Sequence, residues 1–167
     1  MGKLYSVIGD NVTITTVTRG LVGISTSATE LAAGGKIKIK RVEVGQAANA
    51  TSAMLRLAFS KRDQAATLTH ATAKTPAPLD VGGVASAILG NTTGNAVLCS
   101  GVGSTVDTGG TYVDLWYAAF NALNGYLWIP TPETEIIIHN TSVFCVRFLA
   151  DPATLTGWSI AVVFEEL

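Results

Sequence analysis

The chain has 167 residues, 48% of them apolar and only 14% charged, with 11 Lys and Arg against 12 Asp and Glu for a formal net charge of −1. That length suits a single domain with roughly 8,000 Å² exposed when folded against roughly 25,000 Å² unfolded, so a real core is within reach. The slightly negative charge argues against a nucleic-acid binder, no window of about 20 residues is apolar enough to span a membrane, and so little charge favours self-association.

Met1-Gly2-Lys3 leads straight into an alternating segment, with neither an apolar core nor a small-residue cleavage site of a secretory signal. Gly2 with Ser6 fits the short myristoylation pattern, which chance often matches. Period-2 alternation, β-branched residues and Gly/Asn/Pro punctuation recur along the chain, and no helical stripe does. Strands are predicted over 3–8, 11–18, 21–26, 36–45, 52–60, 112–120, 125–129, 135–139, 143–149 and 157–166. That number suits two packed antiparallel sheets, an all-β sandwich in one domain over 1–167.

The segment from Lys36 to Arg62, KIKIKRVEVGQAANATSAMLRLAFSKR, reads as a β-hairpin around a polar turn. In its second half Ala53, Leu55, Leu57 and Phe59 share one face. In its first half Ile37 and Ile39 share a face, and the apolar phase then jumps to Val42 and Val44. A β-bulge near Lys40 and Arg41 accounts for the jump. Lys36, Lys38 and Lys40 line the other face as a basic ridge, read either as protection of an edge strand or as a docking surface for an acidic protein lattice. From about 64 to 110 the composition turns to Ala, Gly, Thr and Pro with weak alternation, and long loops are predicted there, of a length that usually carries contacts. Further on, Trp116, Tyr117, Tyr126 and Trp128 concentrate the aromatic residues. They suit core or subunit-interface packing, or alternatively a carbohydrate platform. EIIIHNTSVFCVRFL reads as a second hairpin turning at Asn140, Thr141 and Ser142, and WSIAVVFEEL as a closing strand with Trp158, Ile160, Val162 and Phe164 inward.

Little in the chain looks catalytic. The two histidines, His70 in a polar loop and His139 at a strand end, form no metal-ligand spacing with Cys99 and Cys145, so neither a metal nor another cofactor is expected. Both thiols are expected reduced and buried. A His139/Cys145 nucleophile pair runs against the inertness of thiols in apolar strands. Gly101-Val102-Gly103 lacks the third glycine and the strand-helix context of a phosphate loop. Glu133 and Glu135, beside Pro130 and Pro132, are expected to be solvated and not to act as an acid/base pair. The four Asn-x-Thr/Ser sequons, at Asn11, Asn49, Asn91 and Asn140, carry no weight without a secretory signal. Charge is ordered along the chain, however: residues 1–62 hold nine Lys/Arg against three Asp/Glu, and residues 63–167 hold two against nine.

Two stretches, KIKIKRVEVGQAANATSAMLRLAFSKRD and LNGYLWIPTPETEIIIHNTSVFCVRFLADPATLTGWSIAVVFEEL, resemble the small jelly-roll decoration or cement proteins of tailed bacteriophage heads. The points of similarity are a strand ending Val-Glu-Val-Gly, a Thr-Ser turn into Met-Leu-Arg-Leu, a Gly-Tyr-Leu followed by Pro-x-Pro-Glu, and a terminal Phe-Glu-Glu, together covering somewhat under half the chain. The resemblance implies a jelly-roll β-sandwich, commonly a homotrimer, that sits on the capsid exterior and ties the major capsid protein lattice together. It implies a non-enzymatic virion protein made in the host cytoplasm, with no nucleic-acid or membrane partner. The alternative expectation is a carbohydrate- or receptor-binding jelly roll of a tail or head fibre.

Overall fold

A computed structural model of the chain describes residues 2–26, 36–48, 51–63, 67–94, 99–108, 111–139 and 142–167. Fourteen strands are present among them: β1 (Lys3–Val12), β2 (Gly20–Thr26), β3 (Lys36–Gln46), β4 (Met54–Asp63), β5 (Thr67–Ala73), β6 (Ala77–Pro78), β7 (Leu89–Gly90), β8 (Thr93–Gly94), β9 (Cys99–Thr108), β10 (Tyr112–Asn121), β11 (Tyr126–Trp128), β12 (Ile136–His139), β13 (Ser142–Phe148) and β14 (Trp158–Glu166). One turn of 3-10 helix, Pro132–Thr134, lies between β11 and β12. The strands form two sheets. The first runs β11-β3-β14-β1-β6 with β12 also on β3, and the second runs β10-β4-β13-β2-β9-β5-β8 with β7 on β9. All pairings are antiparallel except that of β7 with β9.

The all-β sandwich expected from the alternation is therefore present, but neither expected hairpin is. β3 lies in the first sheet and β4 in the second, so the Lys36–Arg62 segment crosses from sheet to sheet; β12 and β13 cross in the same way. The physical reason is in the partners. The inward faces of β3 (Ile37, Ile39, Val42, Val44) and β4 (Leu57, Phe59) bury against each other across the sandwich, which two strands of one hairpin cannot do. Because β3 is flanked by β14 on one side and by β11 and β12 on the other, it is not an edge, and its lysines do not protect one. The bulge near Lys40 is present: Val163 pairs with Arg41 and Phe164 with Ile39, leaving Lys40 as the extra residue that resets the apolar phase.

The core is filled from both sheets. Phe59 packs against Tyr126, Trp128 and Phe144, the last two with ring centroids at 5.3 Å and 6.2 Å. At the other end Phe148 meets Trp158 at 4.6 Å, and the Trp158 indole Nε1–H donates to the Thr154 carbonyl at 2.9 Å. That bond answers the one polar group the ring carries inward.

The 64–110 region holds more order than expected. β5 and β9 pair and extend the second sheet beyond β2, so Gly101-Val102-Gly103 lies in a strand and not in a loop. The expected strand over 11–18 stops at Val12, and Thr15 and Thr18 bend the chain by bonding to each other and to the Ser104 carbonyl. Gly103 has φ +66°, and a Cβ there would sit 2.7 Å from the Thr13 carbonyl oxygen. His70 sits on β5 with only 3% of its surface exposed. Among the described residues its ring Nδ1 has no partner.

Burial lowers the pKa of His70 from 6.5 to about 4. The folded state thus holds the neutral ring between those values while the unfolded chain takes up a proton. Its contribution to stability is full above pH 6.5 and is lost as the pH falls toward 4, on the order of 3 kcal/mol in all. Chemical denaturation of the wild type and of His70→Gln at pH 7 and pH 4.5 should show a steeper acid loss in the wild type; parallel curves would contradict this. Gly103→Ala is expected to cost about 1–3 kcal/mol through its left-handed backbone and the Thr13 clash, measured by the same titration.

Candidate functional site

The lysine ridge stands on the outer face of the first sheet because β3 alternates and its isoleucines take the inside. Pairing then decides what the lysines meet. Ile137 of β12 and Glu165 of β14 flank Lys38, and the segment entering β12 brings in Glu135. Lys38 Nζ lies 3.1 Å from Glu135 Oε2, and Lys40 Nζ lies 2.5 Å from Glu135 Oε1 and 3.3 Å from Glu165 Oε2. The Glu135 carboxyl is held below the usual range by its hydrogen bonds to Lys40 and Lys38. Its bond with Glu135, and then that with Glu165, raise the Lys40 ammonium. Glu135 is therefore bridged by lysines and not solvated as expected; Glu133 is exposed. Lys36, opposite His139, makes no ion pair among the described residues, and it is the remaining unbalanced charge of the ridge.

The four aromatic residues do not share a face. Trp128 is 5% exposed and edge-on to Phe59 in the core, whereas Trp116 is 38% exposed at the side of the sandwich. Trp116 bridges the sheets: its centroid is 6.0 Å from that of Trp128 and its indole N–H donates to the Tyr126 hydroxyl at 3.2 Å. Tyr117 faces outward from the second sheet and donates to Asp114 at 2.8 Å. A flat platform of stacked-out rings is not formed; three of the rings close one side of the core.

His139 and Cys145 are also kept apart. His139 is exposed on the outer face of the first sheet, and Cys145 is buried on the outer side of the second. The side chain of Cys99 lies outside the described residues, as do Asn49 and Asn140. No group of three His, Cys, Asp or Glu side chains could hold a metal ion among the described residues.

Sequence reasoning missed a polar cluster on the outer face of the second sheet, where β10, β4 and β13 run side by side. The Arg62 and Arg147 guanidinium carbons lie 4.5 Å and 4.2 Å from the Tyr112 ring centroid. Arg147 Nη2 also donates to both Asp114 carboxylate oxygens, at 2.8 Å and 3.1 Å, and Ser60 donates to the same carboxylate at 2.5 Å. Burial pushes the Asp114 carboxyl up, but the bonds from Ser60, Tyr117 and Arg147 override it and hold it below the usual range. Burial raises the Tyr112 phenol to about 12. The only signal in the sequence was an Arg at alternate positions of two apolar strands. A shallow groove of about 400 Å³ also opens on the outer face of the first sheet, between Asp10 and Glu43 over Gly45 and Ser159.

Comparison with protein-family models, with curated proteins and with solved structures finds no match.

Asp114→Asn should cost about 2 kcal/mol, since it leaves the half-buried Arg147 charge without its partner. Thermal melts at pH 7 should show the loss. It should shrink as the pH drops through the lowered pKa of Asp114, because the wild-type carboxylate then gives up the same interaction.

Proposed function

We propose that this chain is a jelly-roll capsid decoration protein, binding the outside of a phage head and tying neighbouring capsid subunits together. The observation that carries the reading is the strand order. Setting aside the strands between β4 and β10, one sheet runs β1, β14, β3 and β11/β12, and the other runs β2, β13, β4 and β10. The chain changes sheet at every step among these eight positions except from β4 to β10, and that alternation supports a path of two interlocked Greek keys. The sequence resemblance to phage cement proteins falls on this framework, at the ends of β3, β4, β11 and β14. Fold alone does not fix function, so the surface supplies the rest of the argument.

That surface is nearly neutral in sum, and several of its charges are answered within the fold, as at Lys38, Lys40, Asp114 and the exposed Arg19–Asp151 pair at 2.5 Å. Such a protein recognises a partner by shape and many weak contacts, which become firm when several copies act together on a repeating lattice. Binding the assembled lattice and not its free subunits, it would stabilise the particle by mass action. Lys36 is the ridge position free to meet an acidic lattice patch.

Purified protein mixed with heads lacking it should co-sediment with them and raise their disruption temperature. Lys36→Glu should weaken that attachment in a salt-dependent way without lowering the protein's own melting temperature, whereas Lys40→Glu should also destabilise the fold. Decoration by Lys36→Glu at undiminished strength would remove Lys36 from the docking surface. Absence of the protein from the exterior density of intact particles would sink the decoration reading itself.

A further inference from the structure

The two sides of the sandwich treat their sheet edges differently. On one side the 64–110 region adds β5 and β9 beyond β2 and places two-residue strands outermost: β8 on the second sheet and β6 on the first, with Pro78 unable to donate a ladder bond. Short, proline-bearing edges resist pairing with another chain. On the other side the second sheet ends on β10, ten residues long, paired with β4 alone among the described residues. The register is interrupted once, at Leu115, and then runs unbroken from Trp116 to Asn121. An exposed ladder edge of six regular residues is as long as an ordinary strand.

The side chains around this edge are apolar. Val113, Leu115, Trp116 and Tyr117 of β10, with Leu127 and Ile129 at the adjoining edge of the first sheet, are each between 38% and 65% exposed. Within β10 they flank the edge on both of its sides, Trp116 toward the first sheet and Tyr117 on the outer face, so a strand added there covers apolar surface as well as ladder groups. The single charged residue of β10, Asp114, is already bridged to Arg147 on its own sheet.

We propose that the β10 edge is a self-association surface, where β10 of a second copy adds antiparallel and makes one sheet continuous through both molecules. Pairing about a two-fold axis at Ala118 sets Trp116 opposite Phe120 of the partner subunit and Tyr117 opposite Ala119 of the partner subunit. Small side chains lie at the axis, and the two Asp114 carboxylates fall at opposite ends, so no like charges meet. A two-fold contact of this kind is self-complementary, each copy giving and receiving the same patch. It is independent of the capsid reading, and it is a dimer contact, in contrast to the trimer that the resemblance implies.

Sedimentation velocity of the full chain over roughly 1–100 µM should show a concentration-dependent dimer. Amide exchange at Trp116–Asn121 should slow as the dimer forms. Ala119→Lys, at an exposed position, should raise the dimer dissociation constant at least about tenfold, while Val81→Lys on the opposite, capped side should leave it unchanged. A strict monomer, a trimer, or a dimer indifferent to Ala119→Lys would overturn the proposal. Should Ala119→Lys fail to fold, exchange at β10 in the wild type decides, since protection that does not vary with concentration overturns it equally.

Discussion

The mutual burial of two apolar sheet faces governs this structure. Phe59 shows how: placed by β4, it touches rings from β11 in the opposite sheet and from β13 in its own. Burying a ring of that size is worth roughly 1.5–3 kcal/mol before any packing term. To deliver such faces to one another the chain changes sheet again and again, and among the described strands no two that are consecutive in sequence pair with each other. Every ladder is therefore closed by residues distant in sequence, from β1 with β14 to β5 with β9. Non-local pairing of this kind makes folding slow relative to helical domains of similar stability, because loop closure must precede the contacts that reward it.

The same constraint explains what the sequence disclosed and what it withheld. Alternation reports which side of a strand faces a core, so Leu57 and Phe59, the closing strand and even the phase jump at Lys40 were legible. It does not report which strand lies alongside, because a polar linker serves a sheet-to-sheet crossing as well as a hairpin. Both expected hairpins failed for that reason. The fate of the lysines followed from the same blindness: Glu135 and Glu165 come beside Lys40 only through pairings of β12 and β14 with β3. β5 and β9 were hidden by composition, since Thr, Ala, Gly and Ser alternate too weakly to mark a face. His70 was read as lying in a polar loop and is instead buried on β5, its ring lying against Gly101 of β9, which has no side chain to keep it away.

Electrostatics in this protein works mainly inward. The largest charged clusters, Lys38–Glu135–Lys40–Glu165 and Asp114–Arg147 with Arg62 over Tyr112, sit on the outer faces of the two sheets and consume their own fields. Part of the first-half excess of basic residues meets the second-half excess of acidic ones in such contacts, Lys38 and Lys40 with Glu135 and Glu165, and Arg19 with Asp151. With only 14% of the chain charged and with apolar side chains exposed along β10, the outside is suited to close contact with other protein.

The pairing of the first strand with the last has a mechanical corollary. Lys3 lies opposite Glu166, and the backbone N–H of Gly2 donates to the Glu165 carboxylate at 3.0 Å. Both chain ends therefore leave the first sheet at the same corner. A force pulling them apart loads the β1–β14 ladder one bond at a time, like a zip, and meets little resistance. A force applied across the sheet faces, or along β3 and β14 in opposite directions, must break many bonds together. The molecule is thus weak when tugged by its ends and strong when sheared through its body.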